Sequence, residues 1–473
     1  MKKYLVFLLV AATLSVSGQK TKDEVAKSID ARSSDYSAIA QKIWEFAEVG
    51  FQETKSSALL QETLKKEGFT IQQGVADMPT AFVATYGSGK PVIGILGEFD
   101  ALPGVSQDAV PEKKEVEGRP AGHACGHNLF GTASSAAAIG VKNWLAANKK
   151  EGTIRFYGTP AEEGGSGKVY MVRAGLFKDV DAVFHWHPGS GNGASPGTTL
   201  ANKTGKFRFY GVAAHAAASP DRGRSALDAV EAMNDMVNMM REHVTQETRI
   251  HYVITRGGEA PNVVPAFAEV YYYVRHPKRD EVKSVWERIE RAAQGAALGT
   301  DTKVEVEITG GVYDVLPNET LSKIMDANLR KVGGFTYSDS EKDFAMKIQK
   351  TFQGTPPALE TTNQIGPFQL RFGTASTDVG DVSYVVPTAG MSAATFVPGT
   401  AGHSWQAVAA GGTSIGHKGM MIAAKTIALS VIDAFTNPAA LVEAKKELQG
   451  KLGSGFIYEA MIGDRKPALD YRK

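Results

Sequence analysis

"GTIRFYGTPAEEGG", residues 152–165, is a strand that runs directly into chemistry. Its first half is rich in β-branched and aromatic residues and reads as a pleated run. Pro160 ends that run, and two adjacent carboxylates, Glu162 and Glu163, follow in a glycine-rich loop. The arrangement recurs along the chain. "PVIGILGEFDALPG" (91–104) carries Glu98 and Asp100 just past an apolar run, and "DAVFHWHPG" (181–189) carries His185 and His187. Helical spacing covers 24–70, ending at Gly68, and "SSAAAIGVKNWLAAN" (134–148) reads as a second helical segment. Strands alternating with helices, with polar residues where the strands end, predict an α/β sheet whose site lies at the strand C-termini.

From about residue 203 the texture changes. "KTGKFRFYGVAAHAA", "SALDAVEAMNDMVNMMREHV", "RIHYVITRGG", "AFAEVYYYVRHP", "KRDEVKSVWERIERAAQGAALG" and "DTKVEVEITGG" read in order as strand, helix, two strands, helix and strand. That order predicts a small α+β, ferredoxin-like unit at 203–312. It interrupts an α/β domain formed by 20–202 and 313–473.

Hydrophobic residues at 43% and charged residues at 22% are ordinary for a soluble globular chain of 473 residues. A net charge of +1 gives no reason to expect nucleic acid or an anionic membrane as partner. "MKK" followed by "YLVFLLVAATLSVS" reads as a secretory signal over 1–19, which predicts an exported, periplasmic or secreted protein. No other stretch reads as long and apolar enough to span a bilayer. The single cysteine, Cys125, cannot form an internal disulfide. It is a spare thiol, a metal ligand or a nucleophile.

Cys125 stands in "GHACGHNLF" (122–130), between His123 and His127. Thiolate and imidazole are good ligands for zinc or another transition metal. In the Glu162–Glu163 pair, one carboxylate can hold a cation while the other acts as a base. His185 and His187 alternate, so on an extended chain they share a face and either could be a ligand. His403 lies in "GTAGHSWQ" (399–406), and His417, in "SIGHKGM", reads as structural. Each cluster alone has a bland reading as a turn or solvated loop. Four clusters at successive strand ends of one domain point together to a metal-dependent hydrolase.

With those residues in place, the sequence resembles the zinc-dependent aminoacylase, carboxypeptidase and amidohydrolase family of metallopeptidases. "GEFDALPG", "GHACGH", "PAEEGG", "WHPG", "GVAAHAAASPDRGRSALDAV", "NVVP" and "GTAGHSWQAV" occur in the family's order. They are most similar to its cysteine-bearing amidohydrolase branch, and "WHPG", "HSWQ" and "TSIGHKGM" to the B subunits of aminobenzoyl-glutamate hydrolases. The resemblance implies a catalytic domain binding one or two divalent ions, zinc or manganese, with an inserted lid that also dimerises. It implies Cys125, His127, Glu163, His187 and His403 as metal ligands and Glu162 as the general base. It implies His215 as a lid histidine that reaches a neighbouring subunit's site to stabilise an oxyanion, with Asn262 and Arg275 as substrate-binding residues. Asp100 is expected to orient a ligand histidine. The implied activity is hydrolysis of an N-acyl or aminobenzoyl amino acid amide, for example aminobenzoyl-glutamate. A carboxypeptidase or dipeptidase is the alternative within the family, and a non-catalytic binding protein the alternative outside it. A homodimer is expected, and a separate partner subunit is the other assembly the resemblance suggests. Two positions depart from the family pattern: Asn128 where an aspartate is common, and Phe130 where a histidine is common. Asn128 carries no charge, so the expectation is a weakened second metal.

Overall fold

The computed structural model describes residues 21–472; the expected signal, 1–19, lies outside the described residues. The main domain is built on a six-stranded sheet. In spatial order its strands are Thr70–Gln73, Phe82–Ser88, Gly152–Gly158, Val92–Gly97, Ala182–Gly189 and Thr388–Ala394. The first two are antiparallel additions, whereas Gly152–Gly158, Val92–Gly97, Ala182–Gly189 and Thr388–Ala394 run parallel. Every residue of Val92–Gly97 is buried, as expected for a central strand covered on both faces. Ile93 and Ile95 face one apolar layer with helices His127–Ala147 and Ser414–Thr436, while Val92 and Leu96 face another with Val169, Met171 and Val379. The period-two alternation of a strand thus feeds two cores at once.

The segment at 24–70 is three helices, Lys22–Asp30, Ser33–Phe46 and Thr54–Lys66, followed by a short strand. The second ends where Ala47 turns left-handed at φ 44°. Among the described residues, one helix, Ser414–Thr436, is long and apolar enough to cross a membrane, which corrects the sequence reading. It is apolar all round because it is buried in the main core against His127–Ala147.

The inserted unit spans Ala201–Val312. Its sheet order is Arg249–Arg256, Phe267–His276, Ala201–Tyr210, Lys303–Val312, all antiparallel. Helices Ala226–Met240 and Arg279–Gly299 cover one face through Phe207, Val270, Tyr272 and Trp286. The other face carries the alternate residues Lys206, Arg208, Tyr271 and Tyr273, and it roofs a cavity against the main domain.

Asp381, fully buried, ties the two parts together. It accepts hydrogen bonds from the backbone N–H of Tyr313, where the chain leaves the inserted unit (3.0 Å), and from the hydroxyl of Tyr458 (2.6 Å). Burial pushes its carboxyl up to about 7, against the stabilising bond from Tyr458. A raised carboxyl favours the protonated folded state, so its contribution is complete below the ordinary aspartate range and is lost as pH rises through about 7. The thermal midpoint should therefore decline between about pH 4 and 7, and Asp381→Asn, neutral throughout, should flatten that decline. Identical slopes for the two proteins in scanning calorimetry would contradict this.

Candidate active site and metal centre

The parallel strands deliver their C-terminal ends to one edge. Val92–Gly97 leads to Glu98 and Asp100, Gly152–Gly158 to Glu162 and Glu163, and Ala182–Gly189 carries His187 near its end. His127 is the first residue of helix His127–Ala147, after Gly126 at φ 76°. A Cβ on Gly126 would also lie 2.7 Å from Pro188, so only glycine lets the Cys125–His127 loop approach the His187 strand this closely. The His403 loop docks by its backbone: His403 N–H donates to Ala124 O (3.0 Å), and His403 holds φ 59°.

These constraints converge. Cys125, His127 and His187 offer donor atoms within 4.8 Å of one another, and so do Cys125, Glu163 and His403, and Glu98, His127 and Glu162. Cys125 Sγ lies 3.3 Å from His187 Nε2, whose other nitrogen donates to Pro188 O (2.7 Å). His127 Nδ1 donates to Asp100 Oδ1 (2.9 Å), which turns Nε2 toward the cluster. Asp100 Oδ2 accepts from Glu163 N–H (2.9 Å), so one carboxylate positions two expected ligands. Glu53, fully buried, holds the turn from the other side by accepting Ala161 N–H (2.8 Å).

The electrostatics fit a cation. His127 Nε2 and Glu98 Oε2 are 3.0 Å apart without hydrogen-bond alignment, and Glu163 Oε1 stands in the same way 3.2 Å from His403 Nε2. Among the described residues, His127 Nε2, Glu98 Oε2 and Glu163 Oε1 are buried without a hydrogen-bond partner. Buried polar atoms are almost always satisfied, so three orphaned ones, each in a donor group of this cluster, fit divalent-cation binding. Burial, with neighbouring His127, pushes His187 down to about 4, which leaves the neutral imidazole that binds metal. Burial pushes the Cys125 thiol up, so its anionic form requires a cation beside it. Replacing Cys125 with serine should lower divalent-metal occupancy of the purified protein along with turnover. Loss of turnover at unchanged metal content would instead mark Cys125 as a nucleophile.

Burial, reinforced by Glu98 and Glu163, holds the Glu162 carboxyl well above the usual range. The counter-charge is Lys168, which the sequence reading missed. Its ammonium is fully buried, 2.7 Å from both Glu98 Oε1 and Asp378 Oδ1. Lys168 closes the stretch "EEGGSGK", but nothing in the spacing of "ASTDVGD" pairs Asp378 with it; the contact spans 210 residues.

His185 lines the cavity beside Gly390 and belongs to none of the donor groups. His123 is buried with Nε2 3.0 Å from Ile43 O, and His417 is half-buried in the last long helix of the main core. Asn128 points away from the centre: its amide donates to Gly411 O (3.2 Å) and Ala40 O (3.4 Å). Asn128 thus supplies no ligand at the centre; the nearby carboxylates are Glu98 and Glu162. Arg275 lines the cavity, whereas His215 and Asn262 do not. Those two sit together on exposed lid loops, with Ala216 N–H donating to Asn262 O (3.0 Å), away from this chain's own centre.

The cavity measures about 1380 Å³. Away from Glu98, Glu162, Glu163 and Asp378, the lining is mostly cationic: Lys206, Arg208, Arg275, Arg371, Arg465 and Arg472 against Glu307 and Asp470.

Comparison with known proteins identifies relatives of the chain. The sequence profile of peptidase family M20/M25/M40 matches residues 94–367. The B subunit of the p-aminobenzoyl-glutamate hydrolase of Escherichia coli (strain K12) is 44% identical over 448 residues, 89% of this chain and 93% of that protein. The Xaa-Arg dipeptidase of Homo sapiens is 30% identical over 447 residues, 90% of this chain and 92% of that one. Among solved structures, a dinuclear metal binding peptidase from Bacillus subtilis superposes with a TM-score of 0.58 at 18% identity, covering 85% of this chain and 98% of that chain. At that identity the likeness concerns the fold.

Proposed function

The chain belongs to peptidase family M20/M25/M40, a family of amide-bond hydrolases, and on that premise we propose that it cleaves an aminobenzoyl or N-acyl glutamate to a carboxylic acid and the free amino acid. The observation that carries the choice of substrate is the cationic lining. Among the described residues, Arg275 and Arg371 face the cavity without a carboxylate partner, and guanidinium is suited to bidentate carboxylate binding. An arginyl dipeptide would bring a second cation into that field, which disfavours the dipeptidase reading.

One or two divalent ions held by Cys125, His127, Glu163, His187 and His403 would supply Lewis acidity at the amide carbonyl; zinc or manganese suits this mixed donor set. Glu162 takes a proton from the attacking water, the water oxygen bonds to the carbonyl carbon, and the carbon–nitrogen bond breaks as Glu162 delivers that proton to the leaving nitrogen. Its raised proton affinity suits both transfers. Asp100 holds His127 and the Glu163 backbone still throughout. The test is metal quantification on the purified protein followed by a hydrolysis screen of aminobenzoyl-glutamate, N-acyl glutamates and Xaa-Arg dipeptides. Preference for the arginyl peptides would overturn the substrate assignment.

The lid supports assembly with a second copy. His215 is exposed and remote from its own cavity, and the edge strand Arg249–Arg256 presents Tyr252, Val253 and Ile254 to solvent. An apolar edge strand of this kind invites pairing. In a homodimer formed through it, His215 would serve the neighbouring site as an oxyanion donor. A monomeric mass in light scattering with full activity would overturn this, and activity only after addition of a different chain would indicate a separate partner subunit. The apolar leader supports export, which cell fractionation checks.

A further inference from the structure

The segment after the last helix, Pro438–Leu452, does not end on the surface of its own domain. The Tyr458 hydroxyl bonds to Asp381 (2.6 Å), and Glu459 O accepts the Tyr313 hydroxyl (2.6 Å). Met461 and Ile462 are buried, with Met461 against Gly311 of the last lid strand. Arg465 then donates to Thr309 O on that strand. The chain next crosses to the main domain, where Leu469 O accepts the Gln52 amide (2.7 Å), and Tyr471 stacks edge-on against Phe51 at 5.6 Å. It arrives at the catalytic turn. The Tyr471 hydroxyl donates to Glu163 O at 3.0 Å and the Arg472 guanidinium to the same oxygen at 2.9 Å.

We infer that this C-terminal segment is part of the active site, and that Tyr471 and Arg472 are positioning residues that hold the Glu162–Glu163 turn in its metal-binding geometry. This rests on the proposed reading of Glu163 as a ligand and Glu162 as the base.

The turn itself explains the need. Ala161 and Ser166 flank it at φ 55° and 59°, and Glu163 has ψ 67°, outside the helical range. Such a backbone persists only where its surroundings over-determine it. Among the described residues, every anchor of the Glu163 backbone is distant in sequence: its N–H is taken by Asp100, and its carbonyl by Tyr471 and Arg472. A Cβ at Gly50 would lie 2.1 Å from the Tyr471 hydroxyl and one at Gly165 3.2 Å from it, so the phenol is seated within the turn's wall rather than laid over it. Because the same segment is bonded to the lid through Arg465 and packed on it through Met461, lid and catalytic turn are mechanically joined.

The test compares the full-length protein with the double variant Tyr471→Phe/Arg472→Ala, with Arg472→Lys, and with a chain ending at Ala468. Zinc affinity of the metal-free proteins is measured by competition with a chromogenic chelator. Thermal midpoints, and kcat and KM for aminobenzoyl-glutamate, are measured alongside. Groups that orient metal ligands change metal affinity or activity by about 10–100-fold when removed. The double variant should therefore bind zinc about 10-fold or more weakly and lose kcat with little change in KM, at an unchanged thermal midpoint. Arg472→Lys, which keeps a donor, should recover much of the loss. The inference fails if the double variant and the truncated chain both keep full-length zinc affinity and kcat. It fails equally if the truncation acts only by lowering the thermal midpoint while the double variant behaves as wild type. If the full-length protein does not cleave aminobenzoyl-glutamate, the substrate reading falls and the zinc titration still decides the role of the segment.

Discussion

Glu162→Gln should lower kcat by about 10²–10⁴-fold, toward the upper end because one carboxylate serves both proton transfers. The amide is isosteric and keeps a hydrogen-bonding oxygen, but it cannot take up a proton near neutral pH. Glu162 belongs to neither donor group that contains Cys125 but to the one with Glu98 and His127; acting as the base rather than as a ligand, it should leave metal content at the wild-type level. KM should change little, since the proton is transferred only as the transition state forms. Metal content and turnover measured on the same preparation check this. Wild-type turnover would remove Glu162 from the chemistry, and joint loss of metal and turnover would make it a ligand.

Lys168→Met should be the most destabilising single change near the site. The methionine fills similar volume, but Glu98 and Asp378 lose the ammonium that lies 2.7 Å from each. Breaking a buried ion pair by removing one partner costs about 3–5 kcal/mol, because a charge is left buried and uncompensated. Burial already raises both carboxyls above their ordinary values, and Lys168 opposes that rise. Without it they bind protons more tightly, so the deficit should be smallest in mild acid and grow as pH rises to neutral and beyond. Urea unfolding of wild type and variant at about pH 5 and pH 8 tests both statements. Equal midpoints at the higher pH would show that Lys168 does not balance the cluster. Adding Asp378→Asn should recover part of the loss, since the variant then buries one charge fewer.

The α/β architecture with an inserted α+β unit was legible because its signals are periodic. Val92–Gly97 is an unbroken apolar run because both its faces are covered, and Phe207 and Phe209 alternate with Lys206 and Arg208 because one lid face packs on helices. The motifs carrying Cys125, His127, Glu162, Glu163, His187 and His403 were legible for a related reason. Each sits at or next to a strand or helix end, where a short stretch of chain contains both the element and its candidate site residue.

What sequence alone determined, then, were the features whose cause is local: the elements, their order, the glycine-rich turns, and the residue types able to hold a metal and move a proton. The tertiary structure alone decided contacts that join distant parts of the chain. It turned Asn128 toward Gly411 and away from the centre, set Lys168 between Glu98 and Asp378, and led Tyr471 and Arg472 back to Glu163 across 308 and 309 residues. A buried lysine and an ordinary surface lysine are the same letter. Only packing removes the water that makes their energies differ, and packing is a property of the folded chain.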